Sequence, residues 1–421
     1  MADRLTIACI GLGGMLNHLL TKFTTSPEVD VVALCDVDEN QILATQKRFE
    51  EALSGARTYR DYRALFDKEK ALDGVVVATP DHWHTILCKA AFEAGLHVYC
   101  EKPLTNSIAE ARELRELSKR ANVVTQTGNN GSAADNFRRA YELVDAGLFG
   151  QISEVHAWHP KHGWPCGIDR PAGADPTPKG LDWDSWLGPA PARPYKAEIY
   201  HPFNWRGWYD FGSGSLGDFC CHMFNLPLRA LKLGYPTRIE ASGADMGKES
   251  FPSSCTVKLH FPARPGMAPV TIFFYAGQDT PPAHVAEGVV DPDDNSREHG
   301  CVMVGEKGSL SIGLWNEDGN MKMRGEKAYR SINEHEEALP VGISLPRVKS
   351  QVREWIDACK GGPKAWSPFE LGGHLTEIGL AGVLALRLGG DIDWDGEAMK
   401  APGHPEADAL IRPSRRDEQH P

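Results

Sequence analysis

Two short stretches of this sequence bring together residue types able to do chemistry. Asp218 and His222 stand four apart, just after the loop Gly212-Ser213-Gly214-Ser215. If residues from Leu216 to about Asn225 form a helix, the two side chains share one face. Pro227 lies beyond both and at most kinks or ends that helix. A carboxylate beside an imidazole is a general-base arrangement: Asp218, in the first turn and favoured by the helix dipole, stays ionised and raises the basicity of His222. The second stretch is Glu101-Lys102, directly after the apolar run His97 to Cys100. An ammonium just past the carboxyl end of a strand sits where open α/β sheets bind ligands, placed to stabilise a developing alkoxide or relay its proton. Glu101 would orient the lysine or contact a cofactor. The three residues Lys102, Asp218 and His222 together suit removal of a hydroxyl proton while a hydride leaves the same carbon. Taken alone, a lysine after a strand is more often solvated, and an Asp/His pair more often a cap and a surface contact.

A hydride needs an acceptor, and the start of the chain offers a place for one. After a first strand comes Gly11-Leu12-Gly13-Gly14-Met15-Leu16, opening a helix with Leu19, Leu20 and Phe23 on one side. Such glycines allow a tight turn and close backbone approach, and the helix N-terminus offers free N–H groups to a pyrophosphate. The third glycine of G-x-G-x-x-G is absent, with Leu16 in its place. The context supplies what the motif lacks: a second strand ends in Asp36, where a carboxylate can accept hydrogen bonds from ribose hydroxyls. With Asp38 and Glu39 following and no arginine close in sequence, a 2'-phosphate would be repelled, which favours NAD over NADP. The competing reading makes Gly11 to Gly14 an ordinary turn and Asp36 a helix cap.

These residues need elements to position them. Residues 1–128 alternate apolar runs (Leu5 to Ile10, Val31 to Cys35, Gly74 to Ala78, His97 to Cys100, Val123 to Gln126) with amphipathic segments (Ile42 to Leu53, and Ala111 to Ala121 behind a Ser107/Glu110 capping box). That is the pattern of a doubly wound parallel sheet, a Rossmann domain. From 129 to 396, after a helix near Phe137 to Ala146, longer alternating stretches (Ile152 to His159, Ser254 to Phe261, Val270 to Tyr275, Cys301 to Val304) predict an α+β domain with an open, mainly antiparallel sheet. A last helix, Pro368 to Leu388, ends at Gly389-Gly390, and the polar tail 397–421 is expected to lie on the surface or fray. Between Trp158 and Tyr209, six of the eleven tryptophans sit in a Pro/Gly-rich segment with little periodicity, the kind of long loop that tends to serve function.

The bulk composition narrows the classes. A chain of 421 residues with 41% hydrophobic and 24% charged residues suits a two-domain globular protein. A net charge of −12 without a basic cluster argues against nucleic acid as a partner. Ten cysteines without a CxxC pair read as reduced thiols. With no run of about eighteen apolar residues and a strand beginning at Leu5, neither a membrane span nor a signal peptide is expected, and the location expected is cytoplasmic.

The run Thr79-Pro80-Asp81-His82-Trp83-His84, followed by Ala94-Gly95-Leu96-His97-Val98-Tyr99-Cys100-Glu101-Lys102-Pro103-Leu104 and by Asp218-Phe219-Cys220-Cys221-His222, resembles the Gfo/Idh/MocA oxidoreductases. The resemblance extends over nearly the whole length. It implies that Lys102, Asp218 and His222 meet at the nicotinamide, and that Gly11, Gly13, Gly14, Met15, Asp36, Thr79, Pro80, His84, Glu101, Lys102 and Asn129 hold the NAD. His84 would lie near the cofactor or would be a helix N-terminal residue holding its loop. The Trp-rich stretch, including Trp183-Asp184-Ser185-Trp186-Leu187-Gly188-Pro189, looks like a bacterial branch of that family. Sugars are gripped by aromatic faces and by polar groups on their hydroxyls, which makes Lys161, His162, Trp164, Trp205 and Arg206 the expected substrate contacts. The resemblance further implies a homo-oligomer, dimer or tetramer. The expected activity is NAD-dependent oxidation or reduction of a secondary hydroxyl of a sugar, glycoside or polyol, extending to C3 of a hexopyranoside. Two alternatives are a glycosidase that oxidises C3 transiently and a non-catalytic NAD or sugar sensor, though the latter has no use for Lys102, Asp218 and His222. No metal is expected; a zinc site from His201, Asp218 and His222 is a minor alternative.

Overall fold

A computed structural model describes residues 4–160, 163–289, 300–315 and 318–416. Six strands, β1 (Leu5–Ile10), β2 (Val29–Cys35), β3 (Arg57–Tyr59), β4 (Gly74–Val77), β5 (His97–Cys100) and β6 (Thr125–Thr127), form one sheet in the order β3-β2-β1-β4-β5-β6. Every neighbouring pair is parallel. Helices α1 (Gly14–Phe23), α2 (Glu39–Arg48), α3 (Tyr62–Lys68), α4 (His84–Glu93) and α5 (Ile108–Arg120) connect them. A parallel sheet covered on both faces must bury its central strands, and β4, Gly-Val-Val-Val, is buried at all four positions. Ser107 caps α5 by accepting from the Glu110 amide. Strand order reverses between β1 and β4, so the crevice for a ligand opens at the carboxyl ends of these strands, where Gly11, Asp36, Thr79 and Lys102 all lie.

The remaining elements are α6 (Asp135–Asp145), β7 (Ile152–His159), α7 (Trp183–Leu187), α8 (Gly214–Met223), α9 (Asn225–Ala230), β8 (Arg238–Ala244), β9 (Ser254–Phe261), β10 (Val270–Ala276), α10 (Ala283–Ala286), β11 (Gly300–Gly305), β12 (Gly308–Gly313), β13 (Gly319–Met323), β14 (Arg330–Ser331), α11 (Gln351–Cys359), α12 (Phe369–Leu388), β15 (Ile392–Asp393) and α13 (Ala407–Ile411). Their strands make a second sheet in the order β14-β13-β12-β11-β7-β10-β9-β8-β15, antiparallel except for β7 with β10. Strand β9 alternates buried and half-buried residues along its whole length, and Cys255, Val257, Leu259 and Phe261 face a core shared with α8 and α12.

A helix from beyond residue 128 also packs on the parallel-sheet unit: Val352, Trp355 and Ile356 of α11 meet Leu16, Leu20, Phe23 and Tyr99, because α1 leaves an apolar stripe that a later helix must cover. Within residues 397–416, Ala401, Ala407 and Ile411 are buried in the second core, and Arg415 and Arg416 are hydrogen-bonded at its end. Helix α12 lies between the two sheets. Among the described residues it is the one helix long and apolar enough to cross a membrane, yet it is buried inside the protein. On one side Gly372 admits Thr127, whose Oγ1 would lie 1.9 Å from an added Cβ; on the other Gly379 admits the Cys220 sulfur, 2.2 Å from such an atom.

Candidate active site

One cleft of about 620 Å³ runs along the carboxyl ends of the parallel strands. At one end Gly11 turns with φ +83°, and an added Cβ would lie 2.6 Å from the Thr79 nitrogen, so only glycine fits between β1 and β4. Gly13 and Gly14 face open space, and α1 starts without a side-chain cap. Leu16, at the position of the missing third glycine, is wholly buried in the core. Asp36 accepts from the Leu12 amide (2.6 Å) and the Asp38 amide (2.8 Å), and burial pushes its carboxyl up to about 6. Structure also brings Arg60 and Arg63 to this end of the cleft, which distance in sequence concealed; Arg60 is engaged by the carbonyls of Val37 and Gly180.

At the other end the Lys102 ammonium donates to Asp218 Oδ1 (3.0 Å) and to the Asp218 carbonyl (3.1 Å), with both residues buried. Burial works to lower the lysine, but the Asp218 charge outweighs it and holds Lys102 above its ordinary value. Burial likewise works to raise Asp218, and Lys102 and Arg206 overcome it, so the carboxylate stays below the usual range. The pair is ionic. Asp218 and His222 both stand on α8, but the aspartate's hydrogen bond goes to Lys102, while neither ring nitrogen of His222 has a partner among the described residues. His222 packs edge-on against Trp315 (5.0 Å), and burial, then Lys102, push it down to about 3, leaving a neutral imidazole.

Gly11, Gly13, Gly14, Met15, Asp36, Thr79, Pro80, Glu101 and Lys102 all line the cleft, as do Trp205 and Arg206. Glu101 is pushed up to about 7 by burial, and its carboxylate occupies the space where a Cβ on Gly128 would stand. Thr79 Oγ1 and Glu101 Oε1 are buried without a partner among the described residues, so the cleft walls keep polar atoms for a ligand. The glycine cradle, the carboxylate at Asp36 and these orphaned atoms fit a dinucleotide laid from Asp36 to Lys102.

Three expected contacts lie elsewhere. His84, first residue of α4, is enclosed with Nδ1 against the Pro103 carbonyl (3.0 Å) and Nε2 against the Thr79 carbonyl (2.9 Å); it braces the two loops that carry Thr79 and Lys102. Asn129 is buried behind the cleft and donates to the Cys221 carbonyl, tying β6 to α8. Trp164 is stacked on Phe219 (6.1 Å) in the second core. Lys161 and His162 lie outside the described residues. Arg206 spreads over Trp205 (4.3 Å) and Phe203 (4.4 Å), its Nε 4.0 Å from Asp218. His201 pairs with Asp38, beside Asp36, so it does not join Asp218 and His222 in a metal cluster.

Sequence reasoning passed over Asp81, although it stands next to Pro80. It is buried in the cleft wall, and burial together with the Asp218 charge pushes its carboxyl well above the ordinary range. Trp186, one tryptophan of six in the irregular segment, roofs the cleft, and its carbonyl is met by His82 Nε2 (3.0 Å) and by Trp83 Nε1 (3.1 Å).

Residues 5–129 match a family model described as oxidoreductase family, NAD-binding Rossmann fold, and residues 137–234 match the same family's C-terminal alpha/beta domain. The chain is 29% identical over 145 residues to myo-inositol 2-dehydrogenase of Thermotoga maritima, covering 34% of this chain and 42% of that protein. It is 31% identical over 153 residues to a glycosyl hydrolase family 109 protein of Solibacter usitatus, covering 35% of each. The matched stretches thus span well under half the length of these relatives. Among solved structures, the WlbA dehydrogenase from Bordetella pertussis, in complex with NADH and UDP-GlcNAcA, superposes with a TM-score of 0.65 at 15% identity, covering 94% of this chain and 99% of that one. An inositol dehydrogenase homolog from Azotobacter vinelandii, complexed with NADH and myo-inositol, gives 0.62 at 18%, covering 94% and 98%. At such identities the likeness establishes the fold.

Proposed function

This chain belongs to the Gfo/Idh/MocA oxidoreductase family, and from that premise we propose that it moves a hydride between NAD and a secondary alcohol of a sugar, glycoside or polyol. The observation that carries the reading is one cleft lined by the glycine turn, Asp36 and Lys102, with Lys102 ion-paired to the buried Asp218. NAD, when bound, supplies the hydride acceptor for oxidation and, reduced, the donor for the reverse. Gly11, Gly13, Gly14, Met15 and Asp36 hold its phosphate and ribose end, and Thr79, Pro80 and Glu101 its other half. Lys102, kept charged by Asp218, donates a hydrogen bond to the substrate oxygen and offsets the negative charge that develops there. The proton follows one path in both directions: the neutral His222 imidazole receives it on oxidation and, once protonated, returns it on reduction, while Lys102 holds the substrate oxygen throughout. Trp205 and Arg206 present a flat face and a cation to the sugar, with C3 of a hexopyranoside as the carbon oxidised.

A second reading rests on Asp81. A carboxyl kept neutral beside the reacting end is an acid able to assist departure of an aglycone once C3 oxidation has acidified the neighbouring proton, the NAD-dependent glycosidase route. Both readings are tested together by incubating the protein with hexoses, inositols and methyl and nitrophenyl glycosides plus NAD. NADH absorbance and nitrophenol release are followed in the same cuvette. Net NADH without phenol establishes a dehydrogenase, and phenol without net NADH a redox-assisted glycosidase. Silence in both with NAD bound removes catalysis and leaves the sensor.

A further inference from the structure

Between the start of α8 and the end of α12 lies a separate small cavity of about 20 Å³, room for one or two bodies the size of a water molecule. Ile108, Leu380, Val383, Leu384 and Leu410 make most of its wall, and no carboxylate lines it. Of its polar side chains, Asn106 is already committed: its amide nitrogen donates to the Tyr209 carbonyl (3.1 Å) and its oxygen accepts from Arg415 (2.7 Å). Ser213 is not. It is 2% exposed, and its hydroxyl has no partner among the described residues. That oxygen stands over Gly217, 2.2 Å from where a Cβ would be, beside Leu380 of the cavity wall. Ser213 is the residue before α8, yet its side chain caps no amide there, which leaves the positive end of that helix dipole without a side-chain partner. Arg387, in the last turn of α12, completes the set. An arginine in that place ordinarily bonds the terminal carbonyls of its helix. This one lies half-buried over the Tyr209 ring (4.6 Å) and makes no hydrogen bond or ion pair with any described residue. Burial holds it below its ordinary value, and the Asp210 charge opposes that only from beyond ion-pair distance. Asp210 is itself paired with Arg193, and Glu110 is taken by Arg415.

We propose that this cavity is a binding site for a monatomic anion, one chloride ion held between the Arg387 guanidinium, the Ser213 hydroxyl and the start of α8. Hydroxyl and guanidinium both donate, and a negative charge is what the two share as a partner. A water molecule would satisfy the hydroxyl but leave the arginine's charge unbalanced in a mostly apolar enclosure; an anion does both. Phosphate and sulfate are too large for a space of one or two waters, which confines the ligand to a halide. Bound there, the ion also offsets the positive end of α8. That helix carries Asp218 in its next turn, so the ion fastens the end of the element that presents Asp218 to Lys102. The site is independent of the hydride-transfer reading.

The test is crystallographic and thermal. Crystals of the full chain grown without halide are soaked in bromide, and anomalous scattering is recorded at the bromine edge. The expected result is a peak in this cavity at millimolar bromide, absent from crystals of Arg387→Gln. In solution the wild type should melt about 2 °C or more higher in chloride than in gluconate at equal ionic strength, a gain lost in Arg387→Gln and reduced in Ser213→Ala. No peak in the wild type, or a peak only at molar bromide, overturns the site, as does one that survives Arg387→Gln. A chloride gain equal in the wild type and both variants assigns the effect to bulk salt and overturns it as well. If Arg387→Gln does not fold, the wild-type anomalous map and the melting of Ser213→Ala decide the question between them.

Discussion

Lys102→Met removes the cation of the buried pair while keeping the volume and apolar stem of the side chain. Asp218 is then left in the same buried site with only Arg206, 4.0 Å away and short of a hydrogen bond. Orphaning one member of a buried pair costs about 3 kcal/mol or more, and the variant should lose about that in urea unfolding at pH 7. Its dependence on pH should also reverse. In the wild type Asp218 sits below its unfolded value, so its contribution is present above the unfolded carboxylate pKa and fades as acid titrates the folded group. In the variant, burial raises Asp218 above the unfolded value, so stability should increase on acidification through the carboxylate range. Adding Asp218→Asn should restore most of the loss, because it removes the uncompensated charge. For catalysis, loss of the alkoxide partner should lower single-turnover hydride transfer about a hundredfold or more. NAD affinity should change little, as read by quenching of Trp83, Trp186 and Trp205 in the cleft. Wild-type turnover in Lys102→Met would refute the role of the pair. A hundredfold loss of NAD binding would show that the lysine serves the cofactor instead of the chemistry.

Three further outcomes are expected. Gly11→Ala places a Cβ 2.6 Å from the Thr79 backbone at a positive φ, and should abolish NAD binding in calorimetry even where the protein still folds. Glu101, raised by burial from the ordinary value to about 7, makes the cofactor-free protein lose up to about 3 kcal/mol of stability as pH rises from about 4.5 to 7; Glu101→Gln should flatten that slope in urea titrations, and an unchanged slope would assign it to other groups. Asp36→Ser removes the carboxylate from a cleft end that Arg60 and Arg63 also line, so the ratio of NADP to NAD affinity should rise about tenfold or more by competitive titration.

The sequence made the cofactor half of this site readable because its requirements are local. A glycine turn, the strand before it and a carboxylate at the next strand end each leave a mark within a few residues, and Gly11, Gly13, Gly14 and Asp36 fall along one cleft as their spacing implied. Strands of period two and the capping serine at 107 were equally plain, with β7 and β9 recovered at their full lengths. What spacing could not show is which of two reachable partners a charged group takes. Asp218 is one helical turn from His222 yet is bound to a lysine 116 positions away, a choice made by tertiary packing. For the same reason Arg60 and Arg63 looked remote from Asp36, and Asp81 looked like loop. Most of the tryptophans in the irregular segment turned out to support one another, Trp183 on Trp186 (4.7 Å) and Trp208 against Tyr200 (5.1 Å), which composition cannot distinguish from ligand contact.

Helix α12 and its neighbour α11 bear on how the chain is made. The core of the parallel-sheet unit stays open until Trp355 arrives, and β6 has no cover for Thr127 until Gly372 docks on it. The Leu104 amide donates to Thr376 Oγ1 and the Phe369 amide to Thr125 Oγ1, and Arg112 and Arg115 close on Glu377. A nascent chain of the first hundred and thirty residues therefore lacks the α11 and α12 residues that close this core. An N-terminal fragment cut at residue 128 should stay unfolded or aggregate, and the full chain should melt in a single cooperative step, nucleotide-binding and sheet-bearing halves together.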